Sequence, residues 1–290
     1  MRIVVTGASG QLGRYLIAGL KDGPHEIVAW GGTFQGSVEG CAVRPVELTD
    51  HRAVARALED ADPDVLLHTA AVSSAETARL DPDRTVAVNV GATEFLAQWA
   101  AAHDRRLVYT STDLVFDGSS SWYREEDRPR PILVYGQTKH AAEQFVLAMP
   151  KGVVARLSLL FGPSRSGKQG YFDRTLAALK SGMPQAFFTD ELRTPLHYAV
   201  AAKVLIRLAG SETRGLIHVG GLERLSRYEL MRRIAAVLRI DPFLVEPNVR
   251  ADVPLPEPRP ADVSLNSSRL LALFPELALA RIEETLTAIC

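Results

Sequence analysis

MRIVVTGASGQLGRYL, residues 1–16, decides how this chain is read. Ile3, Val4 and Val5 form a short β-branched run of the kind found in buried strands. Thr6-Gly7 ends the run, Gly10 and Gly13 follow at three-residue intervals, and Leu12, Tyr15 and Leu16 open an apolar helical pattern. A strand that turns directly into a helix leaves the first helical amides unpaired and the positive end of the helix dipole exposed, which suits a pyrophosphate. In this reading Gly7 permits the tight turn, Gly10 lets a phosphate approach the backbone, and Gly13 lets the helix pack closely. The spacing is G-x-x-G-x-x-G, a relative of the G-x-G-x-x-G dinucleotide fingerprint. Glycines alone are also compatible with a purely structural turn. Their place directly after a strand favours nucleotide binding.

The 290 residues around this turn suffice for one large α/β domain with a smaller appended lobe. Hydrophobic residues make up 47% and charged residues 23%, the balance of an ordinary globular protein. A net charge of −1 provides no global field, so neither nucleic acid nor a membrane is an expected partner. A first strand beginning at residue 2 leaves no room for a signal peptide. The longest apolar run, Val153 to Phe161, is broken by Arg156 and Ser158 and is too short to span a bilayer. Cys41 and Cys290 show neither metal-ligand spacing nor a paired framework. No metal is expected, and a reducing, cytoplasmic setting is.

Further strands read at Glu26–Trp30, Cys41–Val46, Asp64–His68, Arg106–Ser111 and Val153–Leu159. Between them lie helical patterns at Ala53–Leu58, 83–103 and Gly136–Met149. The regular alternation without hairpin signals predicts an α/β fold: a Rossmann-type, doubly wound parallel sheet with helices on both faces. Residues 1–161 would form the NAD(P)-binding Rossmann domain. Residues 162–290 would form a smaller C-terminal substrate-binding lobe, interleaved with the first, with helices at 171–181, 198–209 and 226–238 and short strands near 186–189 and 216–219. Ligands of such sheets lie beyond the carboxyl ends of the strands.

The second turn of such a sheet helps choose the cofactor. An acid there binds the ribose 2′-hydroxyl, whereas a base accommodates a 2′-phosphate. Here Trp30-Gly31-Gly32-Thr33 holds no acid, and the next is Glu39. Arg14, one residue past the last glycine, is the nearest base. This points to NADP, with NAD left open and a solvated arginine as the plain alternative.

Tyr135 and Lys139 stand four residues apart at the start of a helix and so share a face. An ammonium beside a phenol favours the phenolate, so the tyrosine pKa is expected to fall from about 10 toward neutrality. Such a tyrosine gives a proton to a carbonyl oxygen as hydride reaches the carbon. The same lysine can hold the ribose of a nicotinamide nucleotide. Thr112, at the end of the fifth predicted strand, offers a hydroxyl to the same carbonyl oxygen; its plain alternative is to cap a turn.

These motifs come in one order along the chain. T6-G-A-S-G-Q-L-G13, Ala70-Ala71, Asn89 in V-N-V-G-A-T, S111-T-D-L-V-F-D-G118, Y123-R-E-E-D127, Y135-G-Q-T-K139 and R259-P-A-D-V-S-L-N-S-S-R269 together resemble the extended short-chain dehydrogenase/reductases. Within these the chain is most similar to the dTDP-4-dehydrorhamnose reductase branch, which also includes the regulatory β subunit of methionine adenosyltransferase. The resemblance implies a catalytic trio of Thr112, Tyr135 and Lys139. It implies a cofactor site of Gly7, Gly10, Gln11, Leu12, Gly13, Arg14, Leu48, Ala70 and Ala71, with Tyr135 and Lys139 at its reacting end. Glu47-Leu48 would contact adenine, and Asn89 would be structural or part of a proton relay. The implied substrate is a nucleotide-linked sugar, and the implied assembly is a homodimer pairing helices 83–103 and 136–149.

Dehydratases of this superfamily carry Thr-Asp-Glu where this chain has Thr112-Asp113-Leu114, so sugar 4,6-dehydration is not expected. The 4-keto reductase reading competes with an epimerase and with a non-catalytic NADP-binding regulatory subunit. Arg193, in Arg193-Thr194-Pro195, would meet a diphosphate or pair with Asp190 or Glu191. G162-P-S-R-S-G-K-Q169 nearly spells a nucleoside triphosphate loop, but Gln169 replaces the hydroxyl that would ligate magnesium. It reads instead as a loop over the substrate, with Arg165 and Lys168 facing its phosphates, or as a plain basic surface loop.

Overall fold

The opening stretch forms the strand, turn and helix that its sequence predicts. The computed structural model describes residues 1–166, 169–254, 256–277 and 279–289. In chain order its first half contains β1 (Arg2–Thr6), α1 (Gln11–Lys21), β2 (Glu26–Trp30), β3 (Gly36–Val38), β4 (Cys41–Arg44), α2 (His51–Ala61) and β5 (Val65–His68). There follow α3 (Ala75–Leu80), α4 (Pro82–Val86), a π turn over Ala87–Gly91, α5 (Ala92–Ala102), β6 (Arg106–Thr112), α6 (Val134–Leu147) and β7 (Gly152–Leu157). The second half contains β8 (Leu160–Phe161), α7 (Tyr171–Lys180), β9 (Gln185–Phe188), β10 (Leu192–Arg193), β11 (Leu196–His197), α8 (Tyr198–Ala209) and β12 (Gly215–Val219). It closes with β13 (Leu225–Ser226), α9 (Arg227–Val237), β14 (Val245–Asn248), α10 (Ser268–Leu273) and α11 (Ile282–Ile289).

Among the described residues the main sheet has eight strands in the order β12-β7-β6-β5-β1-β2-β4-β3. Every pairing in it is parallel except β3 with β4. That exception corrects the expectation of a sheet without hairpins. The two strands turn through Glu39 and Gly40, both at positive φ (50° and 79°). Glutamate is rarely used where Asn or Asp normally marks such a turn, so the sequence signal is weak. The helix expected over 83–103 is also interrupted: the π turn at Ala87–Gly91 separates α4 from α5 and carries Asn89.

α1 and α8 cover one face of the sheet with a core that includes Ile3, Val5, Leu16, Ile17, Val204 and Leu205. α2, α5 and α6 cover the other, around Val4, Leu66, Leu96, Leu107, Tyr109 and Val146. β12 and α8 come from the second half of the chain and complete these layers. α7, α9, β9, β14 and α11 of that half pack a separate small core around Phe161, Phe187, Leu230, Ile234 and Ile282. Chain order reverses at β1, which has β2 on one side and β5 on the other. The carboxyl ends of these strands therefore open a crevice at the topological switch point.

Candidate active site

At one end of the crevice lies the glycine turn. Gly7 has φ +67°, and a Cβ there would stand 2.8 Å from the Ala70 amide nitrogen. A Cβ on Gly13 would stand 2.2 Å from the Gly7 carbonyl oxygen, so this glycine lets the helix fold back against its own turn. α1 begins after Gly10 with no side-chain cap and no acid in its first turn, leaving its amides open to an anion.

A buried hydrogen-bond chain fixes the neighbouring loop. Thr6 Oγ1 accepts from the amides of Thr69 and Ala70 (3.2 Å each) and lies 2.7 Å from His68 Nδ1. His68 Nε2 lies 2.9 Å from Thr93 Oγ1, which donates to the Asn89 carbonyl (2.8 Å). Burial pushes His68 down to about 3, with the nearby Lys139 acting in the same direction, so the ring is neutral. Because Thr6 accepts twice and Thr93 donates onward, the consistent arrangement is Thr6 O–H to Nδ1 and Nε2–H to Thr93. Asn89 then clamps both backbone groups of Val72 (2.8 and 3.1 Å) and donates to Thr138 Oγ1 (3.1 Å), tying the β5 loop to α6.

The crevice has a volume of about 700 Å³. Gly7, Gly10, Gln11, Leu12, Gly13, Glu47, Leu48, Ala70, Ala71, Thr112, Tyr135 and Lys139 all line it, so residues far apart in the first half of the chain converge on one space. Arg14 is not among its lining residues. Its Nε donates to the Ser9 carbonyl (3.1 Å), its Nη1 to the Arg165 carbonyl (3.2 Å), and its guanidinium covers the Phe34 ring (5.8 Å). Arg165 is likewise committed, forked onto Glu39 at 2.8 and 3.0 Å, and does not line the crevice. Gly167 and Lys168 of the same loop lie outside the described residues.

At the reacting end, Gly136 lets the first turn of α6 dock on the segment after β6, since a Cβ there would stand 2.1 Å from the Leu114 carbonyl oxygen. The docking brings Tyr135 beside the Thr112 hydroxyl at the wall of the crevice. Thr112 donates to Asp113 Oδ1 (3.3 Å) and accepts from the Leu114 amide (3.2 Å). The expected electrostatics are reversed here. Burial, aided by the charge of Asp113, raises the Tyr135 phenol above its ordinary value, opposed by the neighbouring Thr112 hydroxyl. Burial likewise draws Lys139 down to about 7, against the pull of Glu143. Each group is too enclosed to stabilise its neighbour's charge, so the free protein keeps the phenol protonated. Burial also raises Asp113, opposed by Arg193 and Ser158.

Arg193 pairs with neither Asp190 nor Glu191. It lies 3.5 Å from Asp113, and its buried Nη1 makes no hydrogen bond. Asp190 binds Arg250 (3.1 Å), and Glu191 binds Arg227 (3.1 Å) and Arg259 (3.3 Å). Arg193, Arg227 and Tyr198 line the crevice from the second half of the chain.

Sequence reading passes over the polar layer beneath this wall. Glu143, one turn past Lys139 and fully buried, accepts from Arg156 Nε (2.9 Å) and Nη2 (2.8 Å), from Ser111 Oγ and from His140 Nδ1 (3.1 Å). Burial alone would raise its carboxyl, yet the Arg156 and His140 hydrogen bonds hold it at about 2. Arg156 also approaches His218 Nε2 (3.4 Å), whose Nδ1 meets the Tyr123 carbonyl (3.0 Å). The available signals were an arginine inside an apolar strand and a glutamate four residues after the lysine.

With this geometry in view, comparison with known proteins places the chain. A family model described as the RmlD substrate binding domain matches residues 1–289. The chain belongs to this family. As an RmlD-family chain it also falls in the extended short-chain dehydrogenase/reductases. It is 30% identical over 288 residues to the dTDP-4-dehydrorhamnose reductase of Aggregatibacter actinomycetemcomitans, covering 94% of this chain and 93% of that one. It is 30% identical over 289 residues to methionine adenosyltransferase 2 subunit beta of Rattus norvegicus, covering 94% and 82%. The RmlD-family fold recurs in the solved structure of dTDP-4-dehydrorhamnose reductase from Bacillus anthracis in complex with NADP. That match has a TM-score of 0.82 at 23% identity and covers 99% of this chain and 97% of the other. Among the described residues no helix is long and apolar enough to cross a membrane.

Proposed function

We propose that this protein is an NAD(P)H-dependent reductase of the 4-keto group of a nucleotide-linked deoxysugar. The observation that carries the reading is the meeting of Thr112 and Tyr135 at the carboxyl end of β6, in the same crevice as the glycine turn. The residues fit a dinucleotide. The turn is too tight for side chains at Gly7 and Gly13, and the uncapped start of α1 offers amides to a pyrophosphate. Glu47, Leu48, Ala70 and Ala71 line the way to the reacting end.

When bound, the dinucleotide supplies hydride to the carbonyl carbon. Tyr135 gives its proton to the carbonyl oxygen, and the raised phenol pKa keeps that proton in place until the oxygen gains charge. Thr112 donates a hydrogen bond to the same oxygen. Lys139 holds the ribose hydroxyls and, once charged, favours the phenolate left on Tyr135. Arg193 and Arg227 face the crevice as cations for the phosphates of the substrate. With Leu114 beside Asp113, the second acid that dehydration requires is missing.

The test is NADPH oxidation, followed by absorbance, with dTDP-4-dehydrorhamnose as substrate. Tyr135→Phe should lower kcat by about 10²–10⁴-fold while leaving NADPH binding intact. The likeness to the methionine adenosyltransferase β subunit supports a second reading, an NADP-binding regulatory subunit. Absence of Tyr135-dependent oxidation, together with co-purification of a methionine adenosyltransferase, would favour it. NAD serves as the comparison cofactor in the same assay.

A further inference from the structure

Lys139 is only 2% exposed, yet among the described residues it makes no ion pair and no hydrogen bond. The titratable groups around it come from every neighbouring element, and each is already committed. On β5, His68 is neutral and bound to Thr6 and Thr93. On α6, Tyr135 stands beside Thr112 with its phenol protonated, and Glu143 has both oxygens occupied by Arg156 of β7, Ser111 and His140. What remains is a π face. The Nζ of Lys139 stands 4.1 Å from the centroid of the Tyr109 ring, and Tyr109 is fully buried on β6, three residues before Thr112.

We infer that Tyr109 is a positioning residue: its ring is the seat that holds the Lys139 ammonium at the wall of the crevice and favours its charged form where no carboxylate touches it. A cation over an aromatic face gains most when both are desolvated, as here. The seat matters because burial leaves Lys139 close to half-protonated at neutral pH, where a small attraction decides its charge. Tyr109 touches neither cofactor nor substrate in this account; it acts through the lysine. The functional consequence rests on the role proposed above for Lys139, whereas the seat itself does not.

The experiment therefore uses the free protein. The ¹³Cε resonance of Lys139, assigned by its loss in Lys139→Met, is titrated with pH in ¹³C-lysine-labelled protein. Tyr109→Phe keeps the π face and should keep the titration midpoint. Replacing Tyr109 with mono-, di- and trifluorophenylalanine preserves shape while draining the ring face, and the midpoint should fall stepwise. At the end of the series the drop should reach about one pH unit, a tenfold loss of proton affinity. A midpoint that stays level along the series overturns the inference, as does a full shift already present in Tyr109→Phe. If the midpoint moves with fluorination while NADPH oxidation is never seen, the seat stands and the reductase reading falls.

Discussion

One turn past Lys139 on α6, Glu143 has both oxygens occupied, Arg156 is forked onto it, and His218 closes the chain to the Tyr123 carbonyl. At the wall of the crevice, one turn earlier on the same helix, Lys139 has only an aromatic ring, and Arg193 has an Nη1 that makes no hydrogen bond and lies a long 3.5 Å from Asp113. The two regions are about equally buried and similarly charged. They differ in completeness. Buried charges with full partners hold a structure together, and buried charges left short keep capacity for a ligand. Glu143, held far below its ordinary value, and Asp113, raised above its own, express this difference in one kind of group.

If the comparison is sound, disturbing the two regions should move stability in opposite directions. The largest effect is expected at Glu143. Glu143→Gln leaves Arg156 buried without its counter-charge and should destabilise by about 3–5 kcal/mol in urea unfolding. The parent should also lose stability in acid. The Glu143 pKa is depressed from 4.5 to about 2, so its contribution is complete above about 4.5 and is lost as the pH falls through 2. At the wall of the crevice, Lys139→Met should stabilise the protein, by on the order of 3 kcal/mol below pH 7. The folded pKa of about 7 lies under the ordinary 10.5, so the unfolded chain binds more protons between them. The gain should therefore shrink as the pH rises from 7 toward 10.5, and thermal melts across that window check it. A destabilised Lys139→Met would break the comparison.

Gly13→Ala tests the far end of the crevice. Its Cβ would collide with the Gly7 carbonyl, so a loss of about 1–3 kcal/mol and weakened NADPH binding by fluorescence titration are expected. The smallest effect sharpens the carboxylate contrast. In infrared difference spectra the Asp113 carbonyl band, assigned with Asp113→Asn, should appear at a higher pH than the Glu143 band.

Much of the fold was legible because it depends on short-range spacing. The run Ile3–Val5 followed by glycines predicts a strand turning into a helix, and Tyr135 and Lys139 four residues apart share a face in any helix. The hairpin at Glu39-Gly40 was not legible, because its turn uses an atypical residue at positive φ. Arg14 had the right place in sequence for a 2′-phosphate, but packing gave its donors to Ser9 and Arg165. Arg193 had two acids within three residues and instead found Asp113, on the far side of α6 in the chain.

The alternation of strands and helices, the glycine turn, and the hydroxyl, phenol and amine at the ends of their elements are written along the chain. Periodicity and turn chemistry are local, so a reading along the chain reaches them. Which of these groups carry charge, and which are satisfied, was settled only once the chain had folded. Burial and pairing are set by elements that meet across the sheet, such as β6 with α6 and β7 with β12, and no spacing along the chain encodes the dielectric or the partners found there.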